Sequence, residues 1–95
     1  MNHKKPRVLT SDGLRTFIAN GGQLKFQPLV DEDGKLYWEM RGIHPDGEEQ
    51  PVYEGRTGEV RVVRSVRGIV GYWRIYHPDD LEIPVPVLPN GEGKL

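Results

Sequence analysis

Between residues 23 and 43 the chain alternates apolar and polar side chains with a period of two. Leu24, Phe26, Pro28 and Val30 share one parity, and Leu36, Trp38 and Met40 continue it after a polar break. Lys25, Gln27, Leu29, Tyr37, Glu39 and Arg41 fill the other. This period predicts two antiparallel strands with one face in a core and one facing water. The break, Asp31-Glu32-Asp33-Gly34-Lys35, sets their register. Asp31 suits the first position of a type I turn and Gly34 the left-handed position that follows, so 32–34 form a three-residue hairpin loop and Asp31 faces Lys35. A two-residue loop would shift the parity and scatter the apolar residues over both faces. Pro28 has no N–H to give a ladder, which puts the first strand at a sheet edge or interrupts it there.

Upstream the period lengthens. Leu14, Phe17 and Ile18 stand at i, i+3 and i+4, behind Ser11 as N-cap and Asp12 in the first turn, and Asn20-Gly21-Gly22 ends the run. These signals predict a helix over 11–20, too short to stand alone and therefore docked on the sheet. Residues 1–10 are basic and polar and read as a flexible N-terminus.

Downstream, residues 58–85 echo residues 22–52. Gly58-Glu59-Val60-Arg61-Val62 matches Gly22-Gln23-Leu24-Lys25-Phe26, Tyr72-Trp73 matches Tyr37-Trp38, and HPDDLEIPV (77–85) matches HPDGEEQPV (44–52). An internal repeat predicts a second hairpin with its loop at 65–68. Its inner face would carry Val60, Val62, Ile69, Trp73 and Ile75, so that Trp38 and Trp73 hold matching core positions. Its outer face would carry Val63, Val70, Tyr72 and Tyr76 among Arg61 and Arg74, with Arg64 and Arg67 at or beside the tip. The stretch between the two units is turn-rich, with Pro45-Asp46-Gly47 as a type I turn, and the proline-spaced 83–89 reads as extended. The tail 86–95 is expected to be extended and loose. The fold class predicted is α+β, a short N-terminal helix packed on a mostly antiparallel sheet of two pseudo-repeated hairpins. The alternative is a small five-stranded barrel-like fold that recruits residues 82–87.

With 95 residues the chain has room for one modest core. It has no cysteine, which excludes disulfides, thiolate metal sites and a cysteine nucleophile. No apolar run follows the basic start, and nothing resembles a membrane span, so the expected location is cytoplasmic. His44 and His77, each followed by Pro and Asp, could offer imidazole and carboxylate to a metal, but turn chemistry accounts for both motifs. No phosphate loop, nucleophile elbow or His pair at helical spacing is present, so no enzyme activity and no cofactor are expected.

Charge changes the picture in one place. Residues 56–76 carry five arginines against a single glutamate, while the whole chain has a net charge of -1. Arginine with tyrosine and valine on a sheet face fits a protein interface, and it also fits stacking and phosphate contact with single-stranded nucleic acid. The overall pI of 6.3 weighs against a dedicated nucleic-acid binder. The sequence therefore points to a non-enzymatic accessory domain that binds a protein, or a second copy of itself, through Arg61, Val63, Arg64, Arg67, Val70, Tyr72, Arg74 and Tyr76. Nucleic-acid binding through 56–76 is the alternative.

Overall fold

The computed structural model describes residues 8–89. The first seven residues and the last six, and with them most of the expectation of frayed ends, lie outside the described residues. In chain order the elements are β1 (Leu9–Thr10), a 3-10 turn (Ser11–Gly13), α1 (Leu14–Ala19), β2 (Gln23–Val30), β3 (Leu36–Ile43), β4 (Glu49–Tyr53), β5 (Val62–Val63) and α2 (Val66–Tyr76). The sheet runs β1-β4-β3-β2, and β5 pairs with β3 on the edge that β4 also uses. It is mixed, because β1 lies parallel to β4. This is an α+β fold, and the sheet does not close into a barrel.

The first hairpin has the register that its loop dictates. Val30 pairs with Leu36 and Leu24 with Gly42. Gly34 takes φ +79, and its N–H donates to the Asp31 carbonyl at 3.0 Å. The Asp31 carboxylate accepts from the Asp33 and Lys35 N–H groups at 2.9 Å each, so two backbone donors converge on one side chain. Leu24, Phe26, Leu36, Trp38 and Met40 are buried on the inner face, while Pro28 is half-buried and Val30 exposed. β2 is the edge strand that Pro28 requires.

The stretch expected to be a linker holds a strand. β4 pairs Pro51 with Arg41 and Glu49 with Ile43. The loop joining it to β3 repeats the chemistry of the first: the Gly47 N–H donates to the His44 carbonyl, the His44 N–H to the Glu48 carbonyl, and Gly47 takes φ +91. Pro45-Asp46-Gly47 is thus a second three-residue loop with a left-handed glycine rather than an isolated type I turn. Val52, fully buried, shares the core. Leu9 and Thr10, expected to be loose, pair with Val52 and Tyr53.

α1 starts one turn later than the sequence predicts. Ser11 sits inside the 3-10 turn, and Thr10 precedes it without a side-chain cap. The stop is a Schellman motif, with Gly22 N–H on the Phe17 carbonyl, Gly21 N–H on the Ile18 carbonyl, and φ +97 at Gly21. The Phe17 ring lies over Gly22 and Gly42, where an added Cβ would stand 2.4 Å and 2.8 Å from ring carbons.

The largest correction falls on the second repeat. Residues 66–76 form a helix, so the two Tyr-Trp pairs, alike in sequence, sit on a strand and on a helix. Val66, Ile69, Val70 and Trp73 recur at helical spacing, and Ser65 caps the start by accepting the Gly68 N–H at 3.0 Å. Both tryptophans nevertheless reach the core, Trp38 at 1% and Trp73 at 9% exposure. α1 and α2 cover the same face of the sheet, packing Leu14, Ile69 and Trp73 on Leu24, Phe26, Trp38 and Met40. After α2 the chain runs extended without joining the sheet. Ile83 and Leu88 pack on the core, and the Trp38 Nε1–H donates to the Pro86 carbonyl at 2.7 Å.

Candidate functional site

Because 66–76 is a helix, the residues expected on one outer sheet face are divided among three environments. Val63 pairs with Trp38 and is 4% exposed, so it belongs to the core; Val62, expected inside, is exposed beside Glu39. Val70, Tyr72 and Tyr76 are half-buried, the two tyrosines packing along the edge of the core. Arg64, Arg67 and Arg74 are exposed.

Arg61 is an internal clamp between strand and helix. Its Nη2 donates to the Tyr72 hydroxyl at 2.8 Å, its guanidinium carbon lies 5.4 Å from the Tyr72 ring centre, and Nη1 is 3.4 Å from the Glu54 carboxylate. Arg64 lies 5.0 Å from the Tyr37 ring centre and 3.7 Å from Asp31. These two arginines of the expected patch are therefore balanced by the chain's own carboxylates. Arg67 and Arg74 make no ion pair among the described residues.

The bare face of the sheet is balanced in the same manner. Lys25 and Arg41 both reach Glu49, at 2.9 Å and 3.5 Å, and Arg41 also binds Glu39 at 2.6 Å. The hydrogen bond from Lys25, reinforced by the charges of Lys25 and Arg41, holds the Glu49 carboxyl below its ordinary pKa.

What the helix adds is a groove that the sequence reading did not anticipate. Gly68, Gly71, Tyr72 and Ile75 fall on one flank of α2 and line a shallow, almost wholly apolar depression of about 270 Å³. Ile75, expected in the core, is 49% exposed there. Arg67 and Arg74 stand on the neighbouring strip of the same helix. The signal for this arrangement was present as the helical spacing of Val66, Ile69 and Trp73, which turns 71 and 75 outward together.

The two histidines sit apart, His44 just after β3 and His77 as the C-cap of α2. His44 meets the Phe17 ring edge-on at 4.8 Å, and His77 stacks on Trp73 at 4.2 Å. Among the described residues no group of three or more His, Asp or Glu side chains gathers as metal ligands, and no helix is long and apolar enough to cross a membrane. Comparison with protein-family models, with curated proteins and with solved structures finds no match.

Proposed function

We propose that the chain is a non-enzymatic accessory domain that binds a protein through the outward flank of α2. The observation that carries this reading is the apolar groove of Gly68, Gly71, Tyr72 and Ile75 beside two arginines, Arg67 and Arg74, that lack an ion pair among the described residues. Apolar surface rimmed by arginine is the usual composition of a protein interface, where desolvated contacts supply the energy and charge sets the orientation. Phosphate recognition draws less support, because Arg61 and Arg64 already face Glu54 and Asp31.

The test is a nuclease-treated pull-down, repeated with the purified partner and with Ile75→Glu. Binding should survive nuclease and fall at least roughly tenfold with the variant. Binding instead to a homopolymeric single strand would overturn the reading. With four arginines on phosphates, that affinity would drop roughly fiftyfold between about 50 and 200 mM salt.

A further inference from the structure

Resting on that reading of α2, we propose that the occupant of its groove is a second copy of this chain, the loop 78–82 of each copy seated on the helix of the other. The loop is pinned at both ends. Before it, His77 stacks on Trp73; after it, Ile83 packs on the core and Pro86 is tied to Trp38. Between these anchors Leu81 is 100% exposed, with Asp79, Asp80 and Glu82 around it, all exposed. A leucine held wholly in water gains its full apolar transfer energy from any cover.

The groove supplies what this loop lacks. Its floor is apolar, and Arg67 and Arg74 beside it match the carboxylates of 79, 80 and 82. Asp79 and Glu82 make no ion pair among the described residues, and Asp80 has only His77, at 3.9 Å. Gly71 gives a second, independent indication. Gly68 is explained within the chain, since a Cβ there would meet Val63 at 2.6 Å, whereas a Cβ on Gly71 would meet nothing within 4 Å and its φ needs no glycine. Glycine in a helix lowers stability relative to alanine, and nothing within the protomer asks for it at 71. What it provides is room for a neighbouring backbone to approach. An acidic apolar loop and a basic apolar groove on one molecule make a self-complementary pair, and two-fold symmetry uses it twice.

Sedimentation equilibrium of the full chain tests this. The wild type should show a concentration-dependent monomer–dimer equilibrium. Leu81→Ser and Gly71→Arg should each weaken it at least roughly tenfold, with helical circular dichroism retained and Tm not lowered, since Leu81 is wholly exposed and a side chain at 71 meets nothing within the protomer. Arg67→Asp and Asp79→Arg should each weaken it, and the combined variant should recover most of the loss. A wild type that remains monomeric to about 1 mM, or a dimer indifferent to these variants, would overturn self-pairing through the loop and the groove. In either case the broader reading is judged separately: Ile75→Glu abolishing the binding of another purified protein would leave α2 as the docking surface with a different occupant, and no effect there would remove both.

Discussion

Glycine at 42 and glycine at 71 are the same residue under opposite constraints. A Cβ at 42 would stand 2.4 Å from the Leu9 side chain and 2.8 Å from the Phe17 ring, both fixed against the sheet, while one at 71 enters open space. Gly42→Ala should therefore destabilise by about 1–3 kcal/mol through overpacking, and Gly71→Ala should stabilise by about 0.5–1 kcal/mol through reduced backbone entropy. Chemical denaturation of the two variants reads the contrast directly. Loops obey a different constraint. Gly34 and Gly47 both have φ near the left-handed region, +79 and +91, with empty space around them, so valine at either is strained by backbone alone. Gly34→Val and Gly47→Val should each lose at least about 1 kcal/mol, and similar losses would confirm that the two loops are equivalent. At the tryptophans the expectation is larger, about 3–5 kcal/mol for Trp38→Ala or Trp73→Ala, because each removes a large buried side chain.

At the scale of elements, the first hairpin was legible to the residue and the second copy was not. Strict alternation from Leu24 to Met40, closed by a loop with one good glycine position, leaves a single register that buries the apolar set. Residues 58–76 carry conflicting local preferences: Val62 and Val63 suit a strand, Arg67-Gly68 suits a turn, and two glycines lower helix propensity. The competing signal, Ser65 followed by Val66, Ile69, Val70 and Trp73, is the one that tertiary packing selects: from the helix Ile69 and Trp73 both enter the core, the Trp73 ring 6.3 Å from that of Phe26. Resemblance between two segments of one chain did not fix a shared conformation, and the outer-face site built on that resemblance dissolved with it. β4 was hidden by its shortness and by Pro51. Since Ser65 supplies the cap, Ser65→Ala should cost about 1 kcal/mol and reduce helical circular dichroism. Strand association has its own readout in Glu49, which joins β2 and β3 to β4 on the bare face through Lys25 and Arg41. Its lowered pKa means that it stabilises the fold above the ordinary carboxylate value of 4.5 and loses that contribution as pH falls through its folded value. The difference in Tm between wild type and Glu49→Gln should thus be present at neutral pH and close on acidification; a constant difference would sink the assignment.

For the whole molecule the decisive asymmetry is that both helices lie on one side of the sheet. The bare side is covered by its own ion pairs, whereas the helix layer leaves exposed apolar surface at Ile75 and Leu81. Salt should separate the two surfaces. Raising it weakens the Lys25, Arg41 and Glu49 contacts and shifts stability slightly. Association through the groove should weaken only modestly, since its apolar part is insensitive to ionic strength.

The bond from the Trp38 indole to the Pro86 carbonyl has a consequence for the order of events during synthesis. β2 and β3 can pair as soon as residue 43 has left the ribosome, but the tryptophan at the centre of that hairpin stays without its acceptor until more than forty further residues have emerged. Over that interval the nascent hairpin presents its inner face to water or to a chaperone. Stalled chains ending before 83 should therefore remain protease-sensitive near Trp38, and chains carrying 83–88 clear of the exit tunnel should become resistant in a single step.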